Sequence, residues 1–251
     1  RDMVVTHLFQ ILAFVAMEPP TALEPTPISE EKNKVFRSML PIRPQDVVRG
    51  QYSGYRKEEG VDPESDTETF IALKCHIDNW RWAGVPFFMR TGKRLPEKRT
   101  EIVIQFKPVP HSIFDRDDRG EVQANRMIIE LQPEEDISLT VMNKRPGLDQ
   151  RMQLQPIKMS LSWGVDGKSA APPRRRIAYE RLLLDAMAGD STLFVRRDEV
   201  GVSVGERNFR QRKLGPVERN TGRAGFLFQR KAVKVGAIDI VERSHRNLRL
   251  C

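Results

Sequence analysis

Between residues 46 and 163 apolar and polar residues alternate in one short segment after another, and this constrains the fold more than any other feature. In 101–107, Ile102, Ile104 and Phe106 fall on one side of an extended strand, and in 126–132 Met127, Ile129 and Leu131 do the same. A period of two places successive side chains on opposite faces of a strand. The same texture predicts strands over 46–52, 69–78, 85–91, 138–143 and 158–163. Polar turns rather than helical crossovers separate them, so neighbours pair antiparallel. One face of such a sheet is packed, and the other is wet or covered by a partner.

Helical periodicity flanks this block. Met3, Val4, His7, Leu8, Ile11, Leu12 and Val15 recur at the spacing of a buried helix stripe, and Pro19-Pro20 ends that helix near residue 18. A linker rich in Pro, Thr and Glu leads to Ser29, which is expected to cap a short helix reaching residue 39. After Pro172-Pro173, residues 177–188 return to helix, with Gly189 as the stop. Strands bracketed by helices predict an α+β domain, a large, mainly antiparallel sheet with flanking helices.

Charge divides the chain in two. The net charge is +8, and residues 201–251 hold 12 Lys and Arg against 4 Asp and Glu, leaving 30 against 30 in residues 1–200. A domain over 1–200 is therefore expected, followed by a basic tail over 201–251. The tail reads as a shifted reading frame, a divergent C-terminus or a disordered segment, and it is expected to contribute nothing to the association of copies. Phe209, Phe226 and Phe228 are its only aromatics and no recognition motif accompanies them, so nucleic-acid binding is not expected.

Several function classes drop out. No apolar stretch approaches the ~20 residues of a membrane helix, and residues 8–17 lack the flanks of a signal peptide. Cys75 and Cys251 lie far apart, which fits a reduced cytoplasmic compartment. The four histidines and two cysteines show no metal-ligand spacing, so no metal is expected. Neither a GxGxxG turn nor a Walker loop is present.

Two places have chemistry to offer. His7 lies on or beside an apolar helix stripe, where it is either a partnered core or subunit-contact histidine or a general base. Asp2 is rotated about 140° from it around an ideal helix and is not an obvious partner, though both face one end of that helix. Residues 90–99, Arg-Thr-Gly-Lys-Arg-Leu-Pro-Glu-Lys-Arg, place five cations in ten positions after an apolar strand. Such a turn suits a phosphate or stands as a solvated basic surface.

These residues, taken with longer strings, resemble a known family. Asp2-Met3-Val4-Val5-Thr6-His7-Leu8, Val15-Ala16-Met17-Glu18-Pro19-Pro20, Trp80-Arg81-Trp82-Ala83-Gly84-Val85-Pro86-Phe87, Lys144-Arg145-Pro146-Gly147 and Ala178-Tyr179-Glu180-Arg181-Leu182-Leu183-Leu184-Asp185 are similar to the C-terminal domain of glucose-6-phosphate dehydrogenases. The resemblance runs from Arg1 to about Val200 and implies a fragment without the Rossmann coenzyme domain. It implies oxidation of β-glucose 6-phosphate to 6-phosphogluconolactone with NADP, in the oxidative pentose phosphate pathway. His7 would be the base, with Asp2, Lys93 and Lys98 binding the substrate. NADP would be held by the missing half, and the chain would form a homodimer or a dimer of dimers. The alternative implied by truncation is an inactive sugar-phosphate-binding or oligomerisation module. Departures are Val5-Thr6 where members carry Gln-Asn, and Val103, Glu130 and Ser138, which do not match the second dinucleotide site that Arg90, Arg99 and Gln132 would suit.

Overall fold

The computed structural model describes residues 3–109, 111, 122–133, 135–147, 154–162, 178–192, 194–204 and 238–244. Asp2 lies outside these residues. The fold is α+β, and the chain divides into two compact units that interleave in sequence. One draws on residues 1–42, 76–83 and 163–212, and the other on 43–75, 84–162 and 213–251.

The first unit is helical. A π-helical segment, Met3–Leu8, runs into α1, Phe9–Ala16. Val4, Val5, Leu8, Phe9, Leu12, Ala13 and Ala16 are buried, so the apolar stripe faces a core. Helix α2, Pro25–Ser38, starts four residues before the expected Ser29 cap. Pro25 and Pro27 are compatible with a first turn, where a missing N–H costs nothing, and Ser29 is buried inside the helix instead. Helix α3, Ala178–Ala188, ends where Gly189 takes φ 74°, the left-handed stop its sequence position suggested. Helix α4, Arg197–Val204, packs on α2 and on the π-helical segment.

The second unit is built on one sheet. Its strands are β1 Val47–Gly50, β2 Phe70–His76, β3 Pro86–Lys93, β4 Thr100–Gln105, β5 Arg126–Gln132, β6 Asp136–Lys144, β7 Leu154–Ser162 and β8 Ile238–Ser244. They lie in the order β1-β2-β3-β8-β4-β5-β6-β7. The seven strands read from periodicity are all present, within a few residues of their expected ends. Strand β8 is an eighth, not among the segments read from periodicity. It comes from the basic tail, pairs parallel with β3 and antiparallel with β4, and separates two strands that adjoin in sequence. Ile238, Ile240 and Val241 give it the β-branched content that a central position favours. The charge excess of the tail hid this short run.

From β4 to β7 the sheet has one apolar face. The cross-strand pairs Ile102–Ile129, Ile104–Met127, Ile129–Ile137, Met127–Leu139, Ile137–Leu161, Leu139–Met159 and Val141–Ile157 all fall on it. Residues directly opposite in an antiparallel pair share a face. Leu161 is 70% exposed and Met159 49%. The opposite face carries Glu101, Glu130, Asp136, Ser138, Lys158 and Ser160.

Candidate functional site

His7 lies in the π-helical segment Met3–Leu8. Its neighbours Val4, Val5, Leu8 and Phe9 are buried while His7 itself is exposed. The expected cost of burying an imidazole on the apolar stripe therefore does not arise. π-helical turns within helices recur at functional sites. The helix that carries His7 is pinned at its far end. Trp82 Nε1–H donates to the Ala16 carbonyl at 2.9 Å, and the Arg81 guanidinium forks onto both carboxylate oxygens of Glu18, each at 2.7 Å. The hydrogen bond from Arg81 holds the Glu18 carboxyl below its ordinary range. Two strings far apart in the chain, Trp80-Arg81-Trp82 and Met17-Glu18-Pro19-Pro20, thus meet.

Sequence reading missed the polar knot beneath this helix. Lys32 Nζ donates to Glu199 Oε2 at 2.8 Å and to Gln10 Oε1 at 3.0 Å, and all three side chains are buried. Asn33 Nδ2 beside it donates to Asp198 at 3.1 Å. These contacts span up to 167 positions, and no local pattern announces them.

The basic turn lies in the other unit, between β3 and β4. Adjacent antiparallel strands close with two residues, whereas here β8 intervenes and the turn bridges two interstrand steps, about 10 Å. Residues 94–99 cover that span. At its entry Gly92 has no room for a side chain, since a Cβ there would lie 2.8 Å from Phe70 Cδ2 and 3.4 Å from the Thr69 carbonyl. The next N–H, that of Lys93, donates to the same carbonyl at 2.8 Å. Arg99 forks onto Glu130 at 3.2 and 2.9 Å and also reaches Glu101 at 3.3 Å. These bonds, that to Glu130 first, raise its proton affinity. Arg94 pairs with Glu58. Lys93 and Lys98 lie exposed on the turn.

The turn thus carries two exposed lysines, and its Arg94 and Arg99 pair with carboxylates. Arg99, one of three residues that would suit a second dinucleotide, is paired with Glu130, one of the departures from that site. Burial pushes the Cys75 thiol up to about 12, so it is no nucleophile near neutral pH. Among the described residues no group of three or more His, Cys, Asp or Glu side chains is arranged to hold a metal ion, and no helix is long and apolar enough to cross a membrane.

The fold and the turn together define the class: an α+β domain whose sheet carries a basic loop between β3 and β4. Residues 1–203 match the family described as glucose-6-phosphate dehydrogenase, C-terminal domain. The chain is 51% identical over 213 residues to glucose-6-phosphate 1-dehydrogenase of Zymomonas mobilis, covering 80% of this chain and 43% of that protein. It is 47% identical to the Mycolicibacterium smegmatis enzyme of the same name, covering 80% and 42%. A crystal structure of glucose-6-phosphate 1-dehydrogenase from Mycobacterium avium superposes with a TM-score of 0.70 at 32% identity, covering 98% of this chain and 46% of that one. Another solved structure, glucose-6-phosphate dehydrogenase in complex with its substrate glucose-6-phosphate, gives a TM-score of 0.69 at 37% identity and covers 81% and 42%.

The chain belongs to the glucose-6-phosphate dehydrogenase family, as its C-terminal domain. It spans less than half the length of the curated relatives it matches.

Proposed function

We propose that this chain supplies the substrate half of a cytoplasmic glucose-6-phosphate dehydrogenase of the oxidative pentose phosphate pathway. The reaction oxidises the anomeric carbon of β-glucose 6-phosphate to the lactone. As the C1 carbonyl forms, the hydroxyl proton must leave, and an exposed imidazole can accept one, so His7 takes it. NADP would be held by a coenzyme domain outside this chain and, when bound, would supply the acceptor for the C1 hydride. Lys93 and Lys98 bind the substrate, and Asp2 holds the sugar. The observation that carries this reading is the anchored basic turn, with both lysines exposed on it.

The test uses the 251-residue chain. Titration followed by the chain's amide NMR signals is expected to show glucose 6-phosphate binding that Lys93→Ala weakens, with no binding of glucose. Mixed with glucose 6-phosphate and NADP, the chain alone is expected to form no NADPH, because it has no glycine-rich turn to hold a pyrophosphate. Equal binding of glucose, or NADPH production by the chain alone, would overturn the reading.

We further propose that the apolar sheet face from β4 to β7 is covered by the same face of a second copy, making a homodimer. A two-fold contact sets like surfaces against each other, and a stripe of this continuity is more than soluble monomers leave bare. Sedimentation at micromolar concentration is expected to give a dimer, which the double variant Met159→Glu, Leu161→Glu converts to a folded monomer. A monodisperse monomer for the parent chain refutes this.

A further inference from the structure

Arg94 adopts φ 55°, and it is the one non-glycine residue with positive φ among those described. For a long side chain this left-handed conformation is strained and persists only where the surroundings impose it. The surroundings are specific. The Arg94 guanidinium lies over the Tyr52 ring, 4.7 Å from its centre, and pairs with Glu58. Tyr55 packs edge-on against Tyr52 with ring centres 5.5 Å apart. Burial first, and then a hydrogen bond to Glu58, raise the Tyr52 phenol's proton affinity, so its hydroxyl remains a donor. Thr69 ties the two segments together: its hydroxyl accepts the Tyr52 N–H at 2.8 Å and its carbonyl accepts the Lys93 N–H at 2.8 Å.

Glu58 already meets the charge of Arg94, so an anion gains little from it directly. We infer that Arg94 is a positioning residue: clamped between Tyr52 and Glu58, it fixes the backbone of the turn so that Lys93 and Lys98 face the sugar phosphate in one arrangement. This inference rests on the proposed sugar-phosphate site and extends it to residues that need not touch the ligand.

The experiment is a titration of the 251-residue chain with glucose 6-phosphate, followed by the amide signals of Gly92 and Leu95. Tyr52→Ala is expected to weaken binding about five-fold, the order lost with an exposed cation–π contact. Arg94→Lys, which keeps the charge but not the planar stack, is expected to weaken it similarly, and Tyr52→Phe to retain near-parental affinity. Amide signals from β5 to β7 report whether each variant is folded. If Tyr52→Ala does not fold, the exposed Arg94→Lys change carries the test. Parental affinity in Arg94→Lys, or in a folded Tyr52→Ala, overturns the clamp and leaves the substrate site standing. No response in the parent chain sinks the substrate site and the clamp with it.

Discussion

Joined to a family coenzyme domain, a chain carrying His7→Asn is expected to lose about 10²- to 10⁴-fold in kcat with little change in KM, the usual worth of a general base. Asn keeps hydrogen-bonding capacity and approximate size but cannot take a proton near neutral pH. His7 is exposed, so its replacement opens no cavity and strands no buried partner, and the folded structure is expected to persist. Lys93→Ala should behave in the opposite way. It removes a contact made to the ground state as well as the transition state, which raises KM more than it lowers kcat. Steady-state NADPH formation over a range of glucose 6-phosphate concentrations separates the two effects. A kcat for His7→Asn within a few-fold of the parent removes the base assignment.

The second large effect is on stability. Lys32→Met in the isolated chain is expected to destabilise the fold by about 3–5 kcal/mol, because it leaves the Glu199 carboxylate buried without its cation. The pair is closed to water, with side-chain exposures of 3% for Lys32 and 0% for Glu199. Lys32 also holds the amide oxygen of Gln10 and lies 5.2 Å from the centre of the Phe14 ring. Its loss therefore disturbs α1, α2 and α4 together. The double change Lys32→Met, Glu199→Leu should recover most of the loss, since apolar groups of similar volume replace a buried pair at little cost. Urea unfolding at neutral pH measures both variants. A loss below about 1 kcal/mol for Lys32→Met, the range of exposed ion pairs, would show that the knot is hydrated and not buried.

Met127, Ile129 and Leu131 specify a strand because a period of two is a local property, readable wherever one face is buried. The first helix was legible for the same reason at a different period, and its end was legible because proline cannot continue it. The start of α2 was misread because Ser29 has the chemistry of a cap, while the two prolines before it are compatible with a first helical turn. Among site residues, the cations of the basic turn were plain in the sequence, being consecutive in it. The clamp was not, since Tyr52 and Glu58 precede Arg94 by more than a strand's length and meet it only once β1, β2 and β3 have been aligned.

The sequence by itself determined the α+β class, the seven alternating strands and the cationic character of the turn, since each is written in neighbouring residues. Tertiary structure decided the rest. It left His7 exposed beside buried Val4, Val5 and Leu8, and it joined Lys32 to Glu199 across 167 positions. It also seated Ile238–Ser244 between β3 and β4. Alternation tells a segment to be a strand but not which strand it will pair with. That choice depends on which backbone edges the remainder of the sheet leaves open, and it belongs to the assembled fold.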